Sequence, residues 1–356
     1  MPSSPPPASG PPRMRPFTYA GSTPRSIMPI TCRCRKWCSR SAPSGSGSTS
    51  RACWRRYPGR RGLAQDFVCW RAMEAPYTTI PLKHWNDFRS FVDQLSENWV
   101  FRGQAAACWN LQNTVERTDF IRIRPQVEAE FMAEFQRGAR NYLTRDQIPE
   151  HLIEWLALMQ HHGAPTRLLD FTKSPFIAAY FAFEIALPEG GGNVAIWAIN
   201  IHYLKQRSLE ALRAYYGREL EESHDIVNES LFEKIFYDNR CSLVFPVEPF
   251  RMNRRYSLQQ SIFVSTGRAA EPFMDQLQFL GPEMNQAVLK IELPALHQKQ
   301  VLRELQRMNL NRASLFPDLD GYAASMRLRY NSLRTPEEVL ADRIRKLEDN
   351  EYRFLP

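Results

Sequence analysis

Residues Glu154–Ala182 read EWLALMQHHGAPTRLLDFTKSPFIAAYFA and hold most of one helix, a polar turn and a second helix. Pro149 opens the first helix, which runs through Gln160 with Leu152, Trp155, Leu156 and Met159 on its inward side. Gly163 stops it, because a glycine past the last turn takes the left-handed conformation that closes a helix. Ser174 caps the second helix and Pro175 sits at its first position, where a missing N–H costs nothing. Phe176, Ala179, Tyr180 and Phe183 form its apolar stripe. Between the helices, His161, His162, Arg167 and Asp170 place titratable groups in a polar loop.

Working outward, His84–Leu95 reads as a helix with Trp85, Phe88, Phe91 and Val92 near one face. Trp99–Phe101 reads as a short strand ending in Arg102-Gly103, and 104–124 as a loop without a clear period. Pro125 opens a helix whose acids Glu128 and Glu130 lie in the early turns, where the helix dipole favours them. Phe131 and Phe135 mark its buried stripe. After a turn at Gly190–Gly192 come a strand from Val194 to Ile201 and a helix from about Ser208 to Glu222. Further strands are predicted at Ser242–Val247, Ser261–Ser265 and Ala287–Leu293, with helices at Pro294–Met308 and Pro317–Arg329. Thr335-Pro336-Glu337-Glu338 opens a charged C-terminal helix within 331–356. Few strands are separated by regular crossover helices. The pattern therefore predicts an α+β fold with a mixed, mainly antiparallel sheet core and surrounding helices.

The 356 residues allow about two domains, and 43% apolar content suffices for a core. The net charge of +8 is unevenly placed. Residues 1–72 hold 13 Lys and Arg against one acid, Asp66, whereas residues 73–356 hold 33 against 37. The main body gives no electrostatic reason to expect nucleic acid as its partner. Residues 1–72 also carry 11 of the 26 prolines and Cys32, Cys34, Cys38, Cys53 and Cys69. This Pro/Ser/Arg-rich segment lacks any period, and it cannot bury enough apolar surface to offset its ordering entropy. It reads as a disordered basic segment, or as an upstream extension of the reading frame with Met73 as the true start. It has no apolar core of a secretion signal, and its prolines would spoil the amphipathic helix of a transit peptide. Its cysteines lack zinc-site spacing, and no histidine precedes His84. Beyond Met73 only Cys108 and Cys241 remain, the usage of a reduced, cytoplasmic protein. No run is long enough to span a bilayer.

Two blocks, WVFRGQ at Trp99–Gln104 and the stretch Glu154–Ala182, resemble the FRG domain, a family named for its Phe-Arg-Gly triplet. The triplet here is Phe101-Arg102-Gly103. The family's Gln-His-x-Gly-x-Pro-Thr-Arg-Leu-Leu-Asp block is Gln160-His161 with Gly163–Asp170, and its Ala-x-x-Phe-Ala helix is Ala178–Ala182. The resemblance continues to Gln259-Gln260-Ser261-Ile262-Phe263, where the family usually has glycine in place of Ser261, and to Leu315–Gly321. It covers about 80–325, so the FRG domain is expected within 73–330.

The strand ending in aromatic-Arg-Gly and the later Ser/Thr strand end also resemble the arginine-class ADP-ribosyltransferases. That resemblance implies NAD as a substrate. Arg102 would clamp its phosphate, which suits a planar bidentate donor. Gln104, His161, Arg167 and Asp170 are the further candidate ligand-binding residues. Thr172 and Ser174 would take the Ser/Thr role, and Gln260 would stand at the catalytic glutamate's position. A neutral amide offers no full charge to an oxocarbenium-like sugar. Turnover would therefore need a carboxylate from elsewhere, with Glu184, Asp318 and Asp320 the candidates.

Each residue also has a structural reading. Arg102 pairs with an acid such as Asp170; His161 and His162 cap a helix end; Arg167 and Asp170 bridge each other; and Asp318 begins a helix after Pro317. A metal site from His161, His162 and Asp170 is disfavoured, since adjacent histidines rarely face one ion. The rival function is a non-catalytic domain that binds a small ligand or a protein in the same cleft. In either case Arg102, His161, Arg167 and Asp170 are expected to converge.

Overall fold

The structure is a computed structural model, and it describes residues 77–118, 120–186, 191–217, 229–249, 254–281 and 284–327. Expectations for 1–72 and 331–356 lie outside the described residues. In chain order the elements begin β1 (Thr78–Pro81), α1 (Trp85–Val92), β2 (Trp99–Gln104), α2 (Phe120–Ile123), α3 (Val127–Ala139), α4 (Leu152–His161), β3 (Leu168–Thr172) and α5 (Pro175–Glu184). There follow β4 (Asn193–Asn200), α6 (Ile201–Tyr216), α7 (Glu229–Asp238), β5 (Val244–Val247), α8 (Arg254–Leu258) and β6 (Ser261–Thr266). The last are α9 (Phe273–Leu277), α10 (Met284–Ala287), β7 (Val288–Pro294), α11 (Gln298–Arg307), α12 (Arg312–Leu315) and α13 (Leu319–Arg327).

The strands form one seven-stranded sheet in the order β1-β7-β4-β2-β3-β6-β5. Only β1 and β7 run parallel; every other neighbouring pair is antiparallel. The α+β expectation holds. Period-two alternation divides the core between the faces. Val194, Ile196 and Ala198 of β4 pack with α1, α5 and α11, while Ala195, Trp197 and Ile199 pack with α6 and α9. A further cluster joins α3, α4 and α7 to Leu168, Phe245 and Phe263 on the β3-β6-β5 half.

One irregularity of the sheet shapes everything that follows. β2 pairs with β4 along all six of its residues, and β3 pairs with β6 along all five of its own. Between β2 and β3 only Phe101 and Thr172 are in register. The two halves of the sheet therefore diverge past that pair, and a seam opens between Arg102-Gly103 on one strand and Asp170-Phe171 on the other.

Helix α5 rides over β2 at this seam. A Cβ on Gly103 would lie 1.9 Å from the Ala178 carbonyl oxygen and 2.6 Å from the Ala182 nitrogen. Only glycine on the strand, facing alanines on the helix, permits that approach. Ser174 caps α5 by accepting from the Ile177 N–H at 3.3 Å. At the end of α4, Gly163 has φ +83°. Its N–H reaches the Gln160 carbonyl while that of Ala164 reaches Met159, which is the paired closure of a Schellman motif.

Three sequence expectations need correction. The polar loop 167–170 is largely strand: Leu168–Thr172 is β3, buried on both sides except at Asp170, so no alternation marks it. Helix α6 begins at Ile201 directly after β4, capped by Asn200, whose Oδ1 accepts from the Tyr203 N–H. β1, α7, α8, α9, α10 and α12 lie where no element was expected, and α2 lies within the stretch 104–124 expected as a loop.

Candidate functional site

The seam opens into a cavity of about 380 Å³. Its floor is Phe101, Arg102 and Gly103 of β2 with Asp170, Phe171 and Thr172 of β3. Phe181 and Glu184 of α5 and Ile185 beyond its end form one wall. Arg255, Gln259, Ser261, Arg312 and Phe316 form the other.

Three arginines meet in this cavity. The Arg102 side chain is 21% exposed and its Nη1 donates to the Asp170 carbonyl oxygen at 2.7 Å, across the seam. The Asp170 carboxylate is 4.0 Å away and half exposed, too loose and too wet for a buried ion pair. Burial holds the Arg102 guanidinium below its ordinary pKa; Asp170 opposes that fall and Arg117 adds to it. Arg312 Nη1 donates to Glu184 Oε1 at 2.7 Å. Arg255 has no carboxylate partner among the described residues. The Phe316 ring lies between two guanidiniums, Arg255 at 4.4 Å and Arg312 at 4.3 Å from its centroid. Stacking on an aromatic face orients a guanidinium without consuming its N–H groups. Arg102, Arg255 and Arg312 each keep a buried Nε–H without an acceptor among the described residues.

The more buried of the cleft's two carboxylates is Glu184, at only 10% side-chain exposure. Besides Arg312, its Oε1 accepts from the Tyr180 hydroxyl at 3.0 Å. Burial, and then the neighbouring Glu184, push the Tyr180 pKa up, so the phenol stays a donor. The wall opposite is held by Gln259, whose Nε2 donates to the Leu315 carbonyl at 3.0 Å. This bond ties the segment carrying Arg255 to the one carrying Arg312 and Phe316.

The sequence-derived site residues divide. Arg102, Asp170 and Thr172 line the cavity. The Thr172 hydroxyl donates to the Gln259 carbonyl at 2.7 Å and accepts from the Ser174 N–H, so it braces the seam. Ser174 itself serves as the cap of α5. Gln104 accepts from Trp197 Nε1 and donates to the Asn110 carbonyl, away from the cavity lining. Gln260 is exposed, at φ +47°, and it is the preceding Gln259 that lines the cavity.

Arg167 lies elsewhere. At 2% exposure it is bound by Glu128 at 2.7 Å and stacked on Phe236 at 4.4 Å, so its partner is Glu128 and not Asp170. His161 lines a neighbouring cavity that shares Arg255 with the first. Its pKa is lowered by burial, then by Arg255 and His162, against the opposing pull of Asp318. The expected convergence therefore holds for Arg102 and Asp170, places His161 next door and excludes Arg167. Among the described residues no three His, Cys, Asp or Glu side chains gather as metal ligands, and no helix is long and apolar enough to cross a membrane.

Sequence reasoning missed Arg255 and Arg312. Each sits just before a block noted for its family resemblance, four residues ahead of Gln259 and three ahead of Leu315.

Residues 97–190 match the family model of the FRG domain. The chain carries an FRG domain. The matched span runs from β2 to just beyond α5 and so includes Arg102, Gly103, Asp170, Thr172 and Glu184. The wall bearing Arg255, Arg312 and Phe316 comes from residues beyond it. Curated proteins and solved structures gave no match to this chain.

Proposed function

We propose that the seam cavity of the FRG domain recognises the phosphates of a nucleotide, with NAD as its ligand. The observation that carries this reading is the meeting of Arg102, Arg255 and Arg312 around one cavity, each with a buried donor unused. Guanidiniums with spare N–H groups match the many acceptor oxygens of a diphosphate. The two carboxylates present are already opposed by Arg102 and Arg312, which leaves Arg255 as the excess positive charge.

ADP-ribosyl transfer breaks the C1′–N bond of NAD. Nicotinamide leaves with the bonding electrons, and the acceptor nucleophile forms the new bond and gives up its proton. The sugar passes through a cationic state that a fixed carboxylate stabilises. Glu184 fits that role better than Gln260, since it lines the cavity and carries full charge. A specific observation favours the second reading, binding without turnover: Glu184 already neutralises Arg312 and accepts from Tyr180.

One experiment separates the two. The full-length chain is incubated with NAD, and both nicotinamide release and NAD affinity are measured for wild type, Glu184→Gln and Arg255→Ala. Turnover abolished in Glu184→Gln with NAD still bound supports the transferase. Binding without release in wild type supports the ligand-binding domain. Absence of binding, or binding indifferent to Arg255→Ala, refutes the phosphate site.

A further inference from the structure

A second cavity, of about 520 Å³, adjoins the arginine cleft. Arg255 lines both, and Phe316 of the first is followed directly by Pro317 and Asp318 of the second. Its long wall is one face of α4, on which Glu154, Leu158 and His161 recur at helical spacing. Ile148, Tyr256 and Pro317 supply apolar surface around them.

Besides the Arg255 Nε–H, two polar atoms of the residues lining this cavity lack partners among the described residues. Glu154 is 6% exposed, and its Oε2 accepts from the N–H groups of Glu150 and His151 at 3.0 and 3.4 Å. Its Oε1 is buried with no donor among the described residues. A carboxylate oxygen left so is costly, and a cavity beside it is where the missing donor belongs. His161 Nδ1 is likewise buried and unpaired. The two residues stand about 10 Å apart along the axis of α4 at 1.5 Å per residue. Arg255 lines both cavities and His161 lines the second, so the His161 end joins the arginine cleft and Glu154 marks the far end.

We infer that this cavity is the base pocket of the same nucleotide, and that Glu154 Oε1 accepts from an exocyclic amino group and so selects adenine. The inference rests on the phosphate reading of the cleft. A flat ring with apolar faces and polar edges matches a lining in which Leu143, Ile148, Leu158, Tyr256 and Pro317 are interspersed with polar and charged side chains. Arg254 and Arg255 offset two of the three carboxylates of the lining, Asp146, Glu154 and Asp318, and a neutral amine serves as the donor for Glu154. The ribose then lies near His161 and Asp318, between base and phosphates. A single free oxygen suits the lone N6 amine of adenine. Hypoxanthine offers a carbonyl there and meets the carboxylate unfavourably.

The test is calorimetric titration of the full-length chain with pyrophosphate, ADP, inosine diphosphate and GDP. Wild type is expected to bind ADP about 10- to 100-fold more tightly than inosine diphosphate, the worth of one hydrogen bond to a charged group. In Glu154→Gln the two backbone N–H groups hold the amide oxygen and turn its NH₂ toward the cavity. That variant is expected to lose or reverse the preference while pyrophosphate binding stays unchanged. Equal affinity for ADP and inosine diphosphate in wild type, tighter GDP than ADP, or ADP no tighter than pyrophosphate overturns the base pocket. These outcomes leave the phosphate site intact. Failure of pyrophosphate and ADP alike refutes both, and the wild-type comparison needs no variant to fold.

Discussion

Arg102 and Arg167 belong to the two sequence blocks that resemble the FRG domain, yet the structure assigns them opposite kinds of work, and truncating each to alanine separates the two. Arg167 is 2% exposed and Glu128 1%, with the guanidinium and carboxylate 2.7 Å apart. Arg167 also donates to the Gly267 carbonyl and lies over Phe236. Arg167→Ala removes these together and leaves Glu128 buried with only the residue 167 N–H as donor. Breaking a buried pair from one side costs about 3–5 kcal/mol. Arg102→Ala removes a single hydrogen bond to a backbone carbonyl, worth about 1.5–3 kcal/mol for a charged donor. Against that loss, the Asp170 carboxylate is half exposed and rehydrates, and an unpaired guanidinium Nε–H leaves a desolvated site. The net should stay within about 2 kcal/mol. Denaturant unfolding of wild type and both variants measures the difference directly. Arg102→Ala should unfold close to wild type while losing affinity for pyrophosphate. Arg167→Ala should lose a large part of the 5–15 kcal/mol that typically holds a domain. Equal destabilisation by the two substitutions, or an Arg102→Ala protein that binds pyrophosphate as well as wild type, refutes the assignment of Arg102 to a ligand.

Gly103→Ala should destabilise by about 3 kcal/mol or more, beyond ordinary overpacking, because the new methyl meets helix backbone and no flexible side chain can move aside; denaturant unfolding checks it. Arg102→Lys should keep the wild-type melt but weaken pyrophosphate about tenfold, since an ammonium lacks the planar fork; titration calorimetry checks it. His161 resists protonation in the folded state, with a pKa below the ordinary 6.5. As pH falls through 6.5 the unfolded chain takes up the proton first, so stability drops with acidification in that window and is constant above it. Melting from pH 7.5 to 5 should show a steeper fall for wild type than for His161→Gln, and parallel curves would sink the assignment.

What could be read from the chain tracks which physical signals are local. Pro175 behind Ser174, and Gly163 after a run of apolar residues, act within one turn, so α4 and α5 emerge as expected. The strand Leu168–Thr172 gives no such signal, because a segment buried on both faces has no alternation and five residues are too few for a helix or a strand to declare itself. The phenylalanine, arginine and glycine of β2 look alike as a motif, yet each answers a different demand. Phe101 is core and in register with Thr172, Arg102 crosses the seam, and Gly103 admits α5. Arg255 and Arg312 are surface-type residues on short helices, and no local periodicity or capping pattern tells them from solvated charges. Their meaning comes from Phe316 between them and from the Gln259 bond to Leu315, contacts that exist only once α8 and α12 are brought together. A site built on a sheet that parts after a single residue pair is a property of the pairing, and pairing is long-range. The same logic places the cavity's charge: the FRG span supplies one arginine and both acids, and the segments beyond it supply the two arginines that tip the balance toward an anion.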